Sequence, residues 1–308
     1  MQSKRFIWYK GVILPHTDAM VNILSPTSQF GANVFEGMRF YWNGKDDLLG
    51  FRIDDHLIRL QKSARMFGFK EKYSHAQLKE YLLQTIRKND FHEDIAVRQT
   101  IYLDGFGSWF DSEPTEMFIA PIPKGRHKES DSSGVSCCIS SWERINDNSL
   151  SPRIKVGANY INSRVGQMEA LRNGYETTLF LNNYGKISES PGACVFLVRD
   201  GTLITPPITA SILESITRAT VIQIAKEVIG IPVIERDVDR TELYIADEVF
   251  LCGTAVEILH VNSVDKLSIN EGEKGKLTQS IENTLFEIFR GKDEGYKHWS
   301  TPVYQGNI

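Results

Sequence analysis

A polar stretch at residues 123–134, rich in Lys, Ser and Asp, divides this 308-residue chain into two halves of different texture. Before it, residues 6–9 and 12–14 flank Lys10-Gly11 as a hairpin, and residues 34–42 read as a strand ended by the turn signal Asn43-Gly44. Leu57, Leu60, Ala64 and Phe67 then fall on one helical face, with Asp54 or Asp55 as the expected cap. Ser74 is expected to cap a second helix running through Leu78, Leu82 and Ile86. Strands are expected at residues 97–103 and 117–121, around a long loop at 104–116. After the divide, residues 177–181, 193–198 and 202–205 read as short strands, 217–229 as a helix and 247–252 as a buried strand. Strands and helices are segregated, with no regular βαβ alternation, so the expected fold class is α+β.

The expected division is 1–122 as a smaller domain, 123–135 as linker and 136–308 as a larger domain. Hydrophobic residues are 41% and charged residues 24%, enough apolar material for a substantial core. The formal net charge is −4 and like charges do not run in long blocks, which argues against nucleic acid or an anionic membrane as partner. The basic cluster at residues 124–128 is too short to track phosphates and reads as a solvated loop. No stretch approaches the ~20 apolar residues of a membrane span. Cys137, Cys138, Cys194 and Cys252 form no C-x-x-C pair and no zinc pattern. Adjacent Cys137 and Cys138 on a strand point to opposite faces and are poorly placed to bridge. Reduced thiols, a cytoplasmic location and no metal are the expectations.

The chemistry concentrates in an ordered series of residues. Lys155 is followed by small Gly157 and Ala158, leaving room for something bulky near the backbone, and by Tyr160. A lysine amine becomes a useful nucleophile when its surroundings depress its ordinary pKa of ~10.4. Glu189 sits before the tight turn Ser190-Pro191-Gly192, suited to holding a pyridinium nitrogen protonated. Ser215-Ile216-Thr217 opens a helix whose N-terminal amides suit a phosphate. Gly253-Thr254-Ala255 offers a second donor turn, and Arg59 a cation able to pair bidentately with phosphate. Taken singly, each has a plain alternative: a solvated lysine, a capping glutamate, an ordinary N-cap. Taken in order, they suit pyridoxal 5′-phosphate.

The chain resembles the class IV, fold-type IV pyridoxal-phosphate enzymes, most closely the branched-chain amino acid aminotransferases. The resemblance runs over nearly the whole chain. It rests on Phe35-Glu36-Gly37-Met38-Arg39, on Arg52, His56 and Arg59-Leu60, and on Lys155-Val156-Gly157-Ala158-Asn159-Tyr160. Ile187-Ser188-Glu189, Ile216-Thr217-Arg218 and the run from Ala246 through Gly253-Thr254-Ala255 to Ile258 complete it. It implies a small N-terminal α/β sandwich and a larger C-terminal pseudo-barrel α+β domain, with the cofactor between them. Lys155 would carry the cofactor and move the proton between substrate Cα and the cofactor's C4′. Tyr160 would bind the phenolic oxygen, Glu189 the pyridine nitrogen, and Arg59, Ile216, Thr217 and Thr254 the phosphate. Phe35, Arg98, Gly192, Thr254 and Ala255 would contact the substrate.

The implied reaction is ping-pong transfer of an amino group between an L-amino acid, branched-chain by default, and 2-oxoglutarate. The resemblance also implies at least a homodimer, in which the 104–116 loop either reaches the neighbour's site or packs on itself. Phe30 and Ala96 stand where the family carries tyrosines, removing two hydroxyls and opening volume near the substrate. A relative specialised for another side chain is therefore the alternative, followed by a lyase or a D-amino acid aminotransferase of the same fold.

Overall fold

The protein, seen as a computed structural model, is described over residues 5–126 and 134–305. It forms two compact units. The first takes residues up to 125 and also 154–158 and 287–305; the second takes the remainder. The division read from sequence placed those two later stretches in the second domain. Most of the expected linker, 127–133, lies outside the described residues.

In the first unit, β1 (Phe6–Tyr9) and β2 (Val12–Pro15) form the expected hairpin, with Lys10 and Gly11 both at positive φ. The short helix α1 (Pro26–Phe30) precedes β3 (Asn33–Trp42), β4 (Leu48–Phe51), helices α2 (Ile53–Met66) and α3 (His75–Asn89), β5 (Ile95–Leu103) and β6 (Thr115–Pro123). With the C-terminal strand Ser300–Pro302 they make one sheet ordered C-terminal strand–β4–β3–β5–β6–β1–β2. The two long helices bury Leu57, Leu60, Leu78, Leu82 and Ile86 against Val34, Met38, Phe40, Ile95 and Val97 of the sheet. Each leucine so buried stabilises by roughly 1.5–3 kcal/mol. Ser74 caps α3 as the sequence suggests, and the structure adds a capping box with Gln77. For α2 the expectation is corrected: the cap is Arg52, at φ 49° and without a side-chain cap bond. Asp54 and Asp55 lie in the first turn, where carboxylates favour the positive end of the helix dipole, and Asp55 accepts from Arg52 Nε at 2.7 Å.

The C-terminal residues belong to the first unit through specific bonds. Asp47 Oδ1 accepts from the amides of Val303 (3.0 Å) and Tyr304 (2.8 Å), while Arg87 Nε donates to Val303 O at 2.7 Å. Phe289 stacks on Tyr41 with ring centroids 4.3 Å apart.

The second unit holds β7 (Val135–Glu143), helix α4 (Tyr160–Arg172), β8 (Thr177–Leu181), β9 (Cys194–Arg199), β10 (Thr202–Thr205), helix α5 (Ile216–Ile224), β11 (Val233–Glu235), β12 (Glu248–Gly253), β13 (Glu257–Val264), β14 (Leu267–Ser268) and helix α6 (Lys276–Phe289), whose last three residues count with the first unit. Its eight-stranded sheet runs β11–β10–β9–β12–β13–β7–β8, with β14 beside β13. Central β9 and β12 are buried almost throughout, which explains their unbroken apolar runs. Phe196 and Phe250 stack across them at 5.1 Å. The helix expected at 217–229 ends as α at Ile224 and continues as a π turn over Ala225–Ile229. All four cysteines are buried and unbridged, and no helix among the described residues is long and apolar enough to cross a membrane.

Candidate active site

Within the first unit, Lys155 sits on a short segment strapped to two elements. Its amide donates to Ser63 Oγ of α2 at 3.1 Å, and its carbonyl accepts from the Phe35 amide of β3 at 3.0 Å. Val156 makes an antiparallel bridge to Val34. The Nζ atom lies 5.1 Å from the Phe35 ring centroid, and the Arg98 guanidinium lies 4.0 Å from the same centroid. Three predicted residues on three segments are thus gathered at one aromatic ring, where cations are attracted to the ring face.

Period-two alternation on β5 explains the rest of this face. Ile95, Val97 and Gln99 are buried, while Ala96 is half-buried and Arg98 exposed, so Ala96 and Arg98 share the open side. Phe30, at the end of α1, is half-exposed. The small residue after the lysine has a different cause from the one expected. A Cβ on Gly157 would stand 2.5 Å from Asn33 Oδ1, so it is this chain's own asparagine that needs the space.

Arg59 is fixed by a residue that sequence reading quoted only as part of a signature. Glu36, on the opposite side of β3 from Phe35 and fully buried, accepts from Arg59 Nε at 2.7 Å and Nη2 at 2.8 Å. His56, one helical turn before Arg59, contacts Glu36 Oε2 through Nδ1 at 2.7 Å. Burial works to raise the Glu36 pKa, but Arg59 and His56 outweigh it and hold the carboxyl far below the usual range. The signal was available: a carboxylate between Phe35 and Met38 on an apolar strand must find a cation or lose its charge.

Within the second unit, Glu189 is buried and bridges to Cys194 across the turn that contains Gly192. Its carboxylate receives the Leu213 amide at 3.3 Å to each oxygen and Arg144 Nη2 at 2.7 Å to Oε1. Two residues beyond Leu213, Ser215 caps α5 by accepting from Arg218 N at 3.2 Å. Chain continuity therefore ties the carboxylate to the helix start where Ile216 and Thr217 place their amides, ahead of the first intrahelical bond. Gly192 leaves open space beside its Cα, and a Cβ on Gly253 would lie 3.2 Å from Gly192 O. The 190–193 turn thus abuts the β12–β13 connection bearing Thr254 and Ala255. Tyr160 begins α4 and is 38% exposed. Nothing in the sequence marks Arg144, which follows the mixed polar and apolar strand β7.

The family profile described as amino-transferase class IV matches residues 33–264. The chain is 36% identical over 306 residues to the probable branched-chain-amino-acid aminotransferase of Aquifex aeolicus, covering 98% of each. It is 37% identical over 305 residues to the branched-chain-amino-acid aminotransferase of Escherichia coli K12, covering 97% of this chain and 98% of that one. Among solved structures, the branched-chain amino acid aminotransferase of Thermobaculum terrenum in its PLP form is similar at TM-score 0.92 and 41% identity, covering 98% of this chain and 99% of that one. The branched-chain aminotransferase of Thermoproteus uzoniensis with norvaline gives TM-score 0.92 at 38% identity, covering 97% and 99%. With a matched profile spanning most of the chain and full-length relatives of the same kind, this protein is a member of the class IV aminotransferase family, on the fold-type IV scaffold.

Proposed function

We propose that the protein is a branched-chain amino acid aminotransferase that uses pyridoxal phosphate and 2-oxoglutarate in a ping-pong cycle. The observation that carries this reading is the intact set of cofactor-side groups, each held by neighbours in its own unit. A buried carboxylate fits the pyridine nitrogen, and a capped helix N-terminus and an arginine locked by Glu36 fit the phosphate.

Pyridoxal phosphate supplies an aldehyde carbon for covalent capture of an amine and a ring that withdraws electrons from the substrate's Cα. Lys155 holds the aldehyde between turnovers and carries the proton between Cα and C4′, its backbone strapping limiting where Nζ can move. Glu189 keeps the ring nitrogen protonated and Tyr160 donates to the phenolic oxygen. Arg59, the Ile216 and Thr217 amides and Thr254 hold the phosphate. Thr254 and Ala255 present amides to the substrate α-carboxylate, while Phe35 and Gly192 border its side chain. Arg98 pairs with the distal carboxylate of a dicarboxylic partner.

The same reading makes the protein a homodimer or larger homo-oligomer in the cytoplasm. Supporting association, Met20, Ile23, Phe106, Trp109 and Phe110 are all at least 69% exposed. A visible absorption band on mixing with pyridoxal phosphate, bleached by L-leucine, L-isoleucine or L-valine and by L-glutamate, is the expected result. A band bleached by glutamate but by none of the three branched-chain amino acids moves the substrate elsewhere. No band at all refutes the enzyme assignment.

A further inference from the structure

Arg144 follows directly on β7, and its amide donates to Leu181 O at 2.8 Å. The side chain is 7% exposed. Nη2 donates to Glu189 Oε1 at 2.7 Å, and Nη1 donates to Asn162 Oδ1 at 3.1 Å and Ser163 Oγ at 3.3 Å. Asn162 is itself anchored, Nδ2 donating to Glu143 O at 2.9 Å. A guanidinium fixed on this many sides is a rigid partner.

The two oxygens of Glu189 are not equivalent. Oε1 takes the arginine, whereas Oε2 takes the Cys194 thiol, a weak donor, at 3.8 Å. The Leu213 amide is shared equally at 3.3 Å. Oε2 is thus the oxygen with accepting capacity left.

We infer that Arg144 is a positioning residue that presents Glu189 Oε2 to the cofactor's ring nitrogen and biases the shared proton onto that nitrogen. The inference rests on the pyridoxal phosphate reading. The electrostatic reason is distance. A cation touching the carboxylate stabilises its negative charge more than it repels a positive charge on the nitrogen beyond, because Coulomb energy falls as 1/r. The N–H⁺···⁻O arrangement gains over N···H–O as a result. An apolar residue at 144 removes that bias and leaves a buried carboxylate without its cation.

The test compares wild type, Arg144→Met, Arg144→Lys, Glu189→Gln and the Arg144→Met/Glu189→Gln double variant. Two quantities are read: the Kd for pyridoxal phosphate by tryptophan fluorescence, and the nitrogen-15 resonance of ring-labelled cofactor. Apoprotein melting controls for the fold. Arg144→Met is expected to weaken binding by roughly tenfold and to move the resonance toward the unprotonated position. Arg144→Lys is expected to restore the protonated resonance while remaining weaker than wild type. On the Glu189→Gln background, Arg144→Met adds nothing, because the arginine acts through Glu189. An unmoved resonance in Arg144→Met overturns the inference, as does an equal loss on both backgrounds. If Arg144→Met does not fold, Arg144→Lys decides, and a Kd equal to wild type overturns the inference. Wild type that binds no pyridoxal phosphate overturns this inference and the underlying reading together; every other failure leaves that reading standing.

Discussion

Glu36 grips Arg59 with both carboxylate oxygens, Nε to Oε1 at 2.7 Å and Nη2 to Oε2 at 2.8 Å, and the carboxylate is fully buried while it does so. The pair fixes the guanidinium plane within the fold, so a phosphate bound there, as proposed, would meet an arginine already ordered. Glu36→Gln is expected to destabilise the protein by roughly 3–5 kcal/mol, the range for breaking one side of a buried pair, and to weaken pyridoxal phosphate binding. Chemical denaturation and a cofactor titration check both. Unchanged affinity in a folded variant shows that Arg59 needs no such support.

His56 gives a pH signature. Burial first, then the nearby Arg59 and Lys155 charges, depress its pKa against the opposing pull of Glu36. On acidification the unfolded chain therefore takes up the proton before the folded one does. The stability contribution is complete above the ordinary histidine pKa of about 6.5 and is lost as pH falls below it. Glu36, also depressed, adds a further loss at lower pH with the same sign. The urea midpoint should decline from about pH 6.5 downward, and less steeply in His56→Asn. Parallel profiles for the two proteins contradict the assignment.

Lys155→Ala is expected to abolish turnover while the melting temperature shifts by no more than a few degrees, since the strapping of residue 155 uses its backbone. Retained transamination refutes Lys155 as the cofactor lysine.

Gly157→Ala tests the close approach of Asn33. The new Cβ meets Oδ1 at 2.5 Å and Nδ2 at 2.8 Å, and Asn33 is held by Thr27 Oγ1 at 3.3 Å and Gly31 O at 3.4 Å. A loss of roughly 1–3 kcal/mol is expected, and Asn33→Ala should relieve much of it in the double variant. If the second substitution gives no relief, the glycine has another cause.

Ala96 shares its strand face with Arg98. Ala96→Tyr is expected to lower kcat/KM for L-phenylalanine relative to L-valine by about tenfold, the order one misfitted group commands in an apolar pocket. An unchanged ratio places residue 96 outside the side-chain pocket.

Trp109 and Phe110 meet edge to face at 5.3 Å while both remain largely exposed. Replacing both by glutamate is expected to shift the protein to monomer in size-exclusion chromatography with light scattering. A wild-type monomer at micromolar concentration removes the homodimer proposal.

Much of the fold was legible because its signals were local. The Lys10-Gly11 hairpin, the Ser74 cap and the Ser215 cap each reside within a few residues. The failures were of two kinds. Arg52 caps α2 from a left-handed conformation that no residue pattern advertises, and Asp54 and Asp55 offered the more familiar signal. The other misses join residues distant in sequence: Arg144 with Glu189, Glu36 with Arg59, Cys194 directly opposite Cys252 in β9 and β12, and the return of 154–158 to the first unit. Sequence named Glu189, Arg59 and Glu36, but only the fold says which counter-charge each received.

The sheet of the first unit takes its outermost strand from residues 300–302, paired to β4. Synthesis runs from the N-terminus, and folding of a nascent domain ordinarily begins there too. Here that order is interrupted. The segment bearing Lys155 emerges from the ribosome well before residues 300–302, so the sheet to which it is strapped acquires that edge strand only after a further 145 residues (300 − 155). The setting of Lys155 is therefore completed only once residues 300–302 are made, and a product stopped before them would carry the lysine on an unfinished sheet.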